Sequence, residues 1–155
     1  QYGYKVDSTD ISKYAVKKAK KIYPQINFFV QDIQKPVTKK YKYDFIWLFD
    51  VIEHLENPLE AIKNMNMALC ADGVVVCSTP NDYKHVYADP THISVKKPEQ
   101  WVKLFRKGGF KIVDIHQVTF IPYFYRFHWR LNYAFPFAVN LKHVISPVFI
   151  IAKKK

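Results

Sequence analysis

Apolar and polar positions fall into blocks whose period switches along the chain. Tyr4–Thr9 reads as a short strand ending at Asp10. Ser12 can cap a helix with Ala15, Ala19 and Ile22 on one face and lysines opposite, and Pro24 stops it. Ile26–Val30 is a second β-forming run. Tyr43–Phe49 is a nearly continuous apolar run, which predicts a strand buried on both faces. Asn57-Pro58-Leu59-Glu60 starts another helix, with a capping side chain, proline at the first helical position and an acid three residues after the cap. Ile62, Met65 and Leu69 continue one face of it, and Asp72-Gly73 turns the chain. Val74–Thr79 predicts a buried strand broken by Pro80. Pro98–Lys107 predicts a helix with Trp101, Leu104 and Phe105 inward, ended by Gly108-Gly109. Phe110–His116 and Val148–Ala152 complete the set as two last strands.

Strand–helix–strand repeated with short joints places the chain in the α/β class, with a mostly parallel sheet covered by helices on both faces. Ligands of such sheets lie beyond the carboxyl ends of the strands. That rule selects Asp10, Asp32, Phe49–His54 and Thr79–Asn81 before any other consideration. A different stretch, residues 119–141, holds nine aromatic side chains together with Arg126 and Arg130. A segment of this length between strands is a lid, a partner surface or extra core. We expect an insertion over about 119–147 that serves as a dimer face or a peripheral membrane contact.

The 155 residues fit one domain (1–155), and 49% hydrophobic with 24% charged residues excludes disordered and fibrous classes. Cys70 and Cys77 cannot build a disulfide framework, and no apolar run approaches the roughly 18 residues of a membrane span. We therefore expect a soluble, cytoplasmic domain. The net charge of +11 invites an anionic partner, yet only three of the basic residues are arginine. Arginine is the better residue for bidentate phosphate contacts, so DNA is not an expected partner.

An acid at the end of the first strand can accept two hydrogen bonds from a ribose diol, or merely cap the following helix. Asp32, after the next strand, can face an adenine. Asp50, Glu53 and His54 put two carboxylates and an imidazole within one turn. Such a group can hold a divalent cation, supply His54 as a base near neutral pH, or simply satisfy its own loop.

Val6-Asp7-Ser8-Thr9-Asp10, Val30-Gln31-Asp32-Ile33, Phe49-Asp50-Val51-Ile52-Glu53-His54-Leu55-Glu56-Asn57-Pro58, Ser78-Thr79-Pro80-Asn81, Asp89-Pro90-Thr91-His92 and Gly108-Gly109-Phe110 follow one another. In that order they resemble the successive motifs of class I S-adenosylmethionine-dependent methyltransferases, nearest to the ubiquinone-type O-methyltransferases and related small-molecule and glycan enzymes. The resemblance runs over residues 4–118 and resumes at 148–152. It implies a Rossmann-like sheet with an antiparallel final strand. It also implies S-adenosylmethionine as cofactor and methyl transfer to an oxygen or nitrogen of a small-molecule, lipid or glycan acceptor. Asp10 and Ile11 would then hold the ribose, Asp32 and Ile33 the adenine, and Phe49 and Asp50 the methionine end. Asn81 and Tyr83 would meet the acceptor, with His54 or His92 as the base. Some relatives bind magnesium through Glu-x-x-Glu-His. Asp50 stands here at the first of those positions, so no metal is expected. The family's first strand and Gly-rich loop are missing from this sequence, which we expect to be truncated at its N-terminus. Three rival expectations follow: a module that has lost the cofactor and acts as an interaction surface, an RNA methyltransferase, or another nucleotide-binding α/β enzyme.

Overall fold

The computed structural model describes residues 3–36, 42–121, 133–141 and 146–155. In chain order these form β1 (Asp7–Asp10), α1 (Lys13–Ile22), β2 (Asn27–Val30), β3 (Tyr43–Phe49), α2 (Pro58–Ala68), β4 (Leu69–Pro80), α3 (Pro98–Lys107), β5 (Phe110–Gln117), β6 (Thr119–Ile121), β7 (Tyr133–Phe135) and β8 (Pro147–Lys154). Short 3-10 turns occupy Ile52–His54 and Lys84–Ala88. β1 pairs with β2 and β3 with β4, both in parallel, while β8 lies antiparallel between β4 and β5. The α/β class and the antiparallel last strand match the sequence expectation. Among the described residues the strands form a β1–β2 pair, a β3–β4–β8–β5 sheet and a β6–β7 pair.

Local chemistry sets most helix boundaries. The Ser12 hydroxyl oxygen accepts the Ala15 N–H at 3.2 Å, capping α1 as predicted. The α1 face differs from expectation. Val16 is the buried residue, Ala15 and Ala19 are half-buried, and Ile22 is 58% exposed. The two-stranded β1–β2 platform is too narrow to cover the helix's last turn. Asn57 makes no side-chain cap, a second correction. Gln34 Oε1 holds its backbone N–H at 2.7 Å, and its backbone (φ −125°, ψ 73°) departs from the extended conformation that aims a capping side chain. Pro58 and the Asn57 carbonyl, which accepts from Glu60 N–H at 3.1 Å, start α2 instead.

One core unites the sheet with α2 and α3. Leu48, Val75, Cys77, Ile150 and Ala152 of the strands meet Ile62 and Met65 of α2, Trp101 and Phe105 of α3, and Phe110. The opposite face of β3 is open, which corrects the expectation of double burial: Phe45, Trp47 and Phe49 are 60%, 70% and 48% exposed. A run that is apolar on both sides of the pleat gives no alternation to read; Ile46 and Leu48 pack against the core, as does Tyr43 at the start of the strand. β4 also starts earlier than predicted. Tyr43 pairs with Leu69 but Phe45 with Val74, so residues 70–73 bulge from the ladder, with Asp72 at φ 62°. Cys70 and Cys77 are both free thiols.

α3 ends as predicted at a glycine pair. Gly109 adopts φ 93°, a left-handed conformation that side chains resist. Gly108 lies so close to α2 that a Cβ would strike Ile62 Cγ2. We expect Gly108→Ala to lower unfolding free energy by about 1–3 kcal/mol in urea titration, the range typical of overpacked cores. A change below the measurement error would show that α2 and α3 can separate without cost.

Candidate active site

The in-register parallel pairing of β1 with β2 sets Asp10 opposite Val30. Gln31 N–H donates to the Asp10 carbonyl at 3.1 Å, so Asp10 and Asp32 leave the two carboxyl ends side by side. Each carboxylate is aimed by the turn that follows it. Asp10 Oδ1 accepts the Ser12 N–H at 2.7 Å, and Asp32 Oδ1 accepts the Gln34 N–H at 3.0 Å. Among the described residues no hydrogen bond uses Asp10 Oδ2. Ile11 stands 68% exposed beside Asp10, while Ile33 packs against the core.

Phe49 ends β3, and Asp50 follows in the left-handed region at φ 50°. Asparagine and aspartate tolerate that conformation better than other side chains, though it still carries strain. Two bonds from β4 hold it there. Asp50 N–H donates to the Ser78 carbonyl at 3.1 Å, and the Ser78 hydroxyl donates to Asp50 Oδ1 at 3.0 Å. The Tyr43 hydroxyl, donating to Asp7 Oδ2 at 2.8 Å, links β3 to β1.

The 3-10 turn after Asp50 carries Glu53 and His54. Glu53 is 1% exposed, and neither carboxylate oxygen has a hydrogen-bond partner among the described residues. Burial pushes its carboxyl above the usual carboxylate range and Asp50 adds to the rise, against a partial offset from the neighbouring His54. The loop after β4 folds back over this turn. Ser94 N–H donates to the Glu53 carbonyl at 2.8 Å, and His54 Nδ1 lies 3.0 Å from the Thr91 carbonyl. These ties set the His54 and His92 rings 4.8 Å apart. His92 Nδ1 is in turn 2.7 Å from the Val86 carbonyl.

The predicted residues thus fall into two groups at the carboxyl ends of the strands: Asp10, Ile11, Asp32, Phe49 and Asp50, and then His54 with His92. Asp50 does not join Glu53 and His54 in a common ligand group, since Ser78 holds it. Asn81 is buried, and its Nδ2 donates to the Ser146 carbonyl at 2.7 Å. It serves as a tie between the end of β4 and the start of β8 rather than a free contact group. Tyr83 lies 5.8 Å from His85, ring to ring, at the entrance to the 3-10 turn. Residues 122–132, which include Arg126 and Arg130 of the aromatic segment, lie outside the described residues. Sequence reasoning missed the burial of Glu53, because a charged residue in a predicted loop gives no burial signal.

The family model described as a methyltransferase domain matches residues 1–115. The chain belongs to this methyltransferase-domain family. Three solved structures with the same fold extend the likeness over nearly the whole chain. A TehB-like S-adenosylmethionine-dependent methyltransferase of Corynebacterium glutamicum is 18% identical (TM-score 0.68; 99% of this chain, 70% of that one). The N-methyltransferase NodS of Bradyrhizobium japonicum, solved with S-adenosyl-L-homocysteine, is 16% identical (TM-score 0.67; 96% and 65%). The [4+2]-cyclase SpnF is 15% identical (TM-score 0.72; 97% and 66%). The methyltransferase domain described here spans about two thirds of the length of these three. No curated protein matches the sequence. S-adenosylmethionine is the cofactor of the family, and the acids at the tips of β1 and β2, exposed Asp10 and half-buried Asp32 with its Oδ2 3.8 Å from Lys35 Nζ, suit its adenosine half: carboxylates can accept from a ribose diol, and Ile11 offers an apolar surface.

Proposed function

We propose that this domain transfers the methyl group of S-adenosylmethionine to an oxygen or nitrogen of a small-molecule, lipid or glycan acceptor. The observation that carries this is the pair of carboxylates, Asp10 and Asp32, on adjacent strand tips, each oriented by its own turn. The cofactor supplies an electrophilic methyl on a sulfonium sulfur, which departs as a thioether. Asp10 would fix the ribose, Asp32 the adenine edge, and Phe49 with Asp50 the methionine end. Positioning of donor against acceptor accounts for most of the rate. The acceptor's proton would pass to Nε2 of His54 or His92, since each Nδ1 faces a backbone carbonyl; a carboxylate oxygen lies 4.0 Å from Nε2 in His54 (Glu53) and 3.9 Å in His92 (Asp89).

His54→Ala should lower kcat by about 100-fold, within the range for loss of a general base, while leaving S-adenosylhomocysteine affinity within twofold. Turnover measured against a panel of hydroxyl and amine acceptors, with calorimetry on the same variant, checks both halves. A loss of affinity with unchanged kcat would remove His54 from the acceptor side.

A second reading, a methyltransferase-like module acting as an interaction surface, draws support from the exposed aromatic face of β3. Such a module would give no calorimetric signal with S-adenosylhomocysteine.

A further inference from the structure

We propose that the outer face of α1 is a docking surface for an anionic membrane, held by its lysines and by the apolar side chains exposed among them. Lys13, Lys17, Lys18, Lys20 and Lys21 all lie on α1 and are exposed. No acidic residue occurs between Ile11 and Gln31, so nothing on the helix or beside it in the chain offsets their charge. Among the described residues none of these five ammonium groups makes an ion pair or a hydrogen bond, whereas Lys35, Lys63 and Lys153 each pair with a carboxylate. Tyr14, Lys17, Lys18 and Lys21 recur at three- and four-residue spacing and form one stripe along the helix. Val16, the buried residue of α1, marks the opposite side.

A positive stripe without internal partners fits a nucleic acid or an anionic bilayer, and two features favour the bilayer. First, large apolar side chains are exposed within and beside the stripe. Tyr14 is 75% exposed, Ile22 stands one turn beyond Lys18, and Tyr23 follows at the end of the helix. Amphipathic tyrosine rings settle at the level of lipid headgroups, and an isoleucine that the narrow β1–β2 platform leaves uncovered gains by entering the interface. Second, every cation here is lysine, and the three arginines of the chain (Arg106, Arg126 and Arg130) belong to other segments. Lysine is a compact point charge that responds to a diffuse surface potential, whereas bidentate phosphate contacts and stacking on bases call for arginine.

No helix among the described residues is long and apolar enough to cross a membrane, so the contact is peripheral. Each lysine brought to a surface rich in anionic lipid strengthens binding about fivefold, so the three lysines of the stripe together contribute about 100-fold. Raising the ionic strength from about 0.1 to about 1 M shortens the screening length from about 10 to about 3 Å and removes most of that gain. The surface rests on α1 and its neighbours in the chain, and it does not depend on methyl transfer.

The test is sedimentation of the full chain with vesicles of phosphatidylcholine alone, or of phosphatidylserine and phosphatidylcholine at about 1:3. We expect binding to the anionic vesicles only, and its loss at about 1 M salt. The triple variant Lys17→Gln, Lys18→Gln, Lys21→Gln should weaken that binding by about 100-fold, with melting temperature and S-adenosylhomocysteine affinity unchanged. A control that removes the same charge elsewhere, Lys103→Gln, Lys107→Gln, Lys111→Gln, alters exposed lysines of α3 and β5 and should cost less than about threefold. Equal losses in the two triple variants would show attraction by net charge alone and overturn the surface. So would equal binding to both kinds of vesicle, or binding to neither. Polyuridylate that displaces the protein from the anionic vesicles at equal phosphate concentration would identify nucleic acid as the partner and overturn the proposal as well.

Discussion

Replacing Asp10 with asparagine is expected to weaken S-adenosylhomocysteine binding by about 100-fold or more without lowering the melting temperature. A carboxylate that accepts both ribose hydroxyls makes two charge-assisted hydrogen bonds, each contributing about 1.5–3 kcal/mol. Losing them amounts to roughly 10²–10⁴ in affinity. The choice of asparagine matters because Asp10 also has a local task, accepting the Ser12 N–H at 2.7 Å beside the start of α1. Asparagine keeps an oxygen for that bond but offers the ribose a donor where an acceptor is needed. Asp10→Ala removes both roles and should lose affinity and some stability together. If Asp10→Asn binds as tightly as the parent, the carboxylate does no more than organise its own turn.

The second large effect concerns folding. Trp101→Ala should cost about 3–5 kcal/mol in chemical denaturation, the range for deleting a fully buried large aromatic. Trp101 is 0% exposed within the cluster shared by α3, α2 and the sheet. Domain stabilities lie at about 5–15 kcal/mol, so this one change removes a large fraction of the total. Trp101→Phe should cost less than half as much. Phenylalanine refills part of the volume, and it removes an indole N–H that is buried without an acceptor among the described residues. Equal costs for the two variants would mean that the phenyl ring recovers none of the packing that the indole supplies.

The sequence was most readable where punctuation and periodicity agreed. Pro98 and the Gly108-Gly109 pair bound α3 as predicted, and Tyr43–Phe49 is a strand over its predicted length. It was least readable where one residue type suits two environments. Leu69 continues the α2 face in a helical reading, yet it is the first residue of β4 and buried in both cases. Phe45, Trp47 and Phe49 are as apolar as the buried side of β3, so the pattern could not show that only one face packs. At the site, Asp10 and Asp32 were legible because strand ends are predictable from short motifs. The approach of His92 to His54 was not, since it depends on how the loop from Pro80 to Lys97 folds back, held by bonds to Thr91 and Ser94. Proximity along the chain pointed instead to Asp50, which Ser78 retains.

A structure of the protein bound to S-adenosylhomocysteine measures the arrangement itself. The ribose hydroxyls should lie within hydrogen-bond distance of the Asp10 carboxylate, the adenine edge beside Asp32, and the homocysteine sulfur toward Phe49 and Asp50. An adenosine seated anywhere else, or a cleft between the two strand tips filled by the protein's own side chains with no ligand bound, would contradict that arrangement.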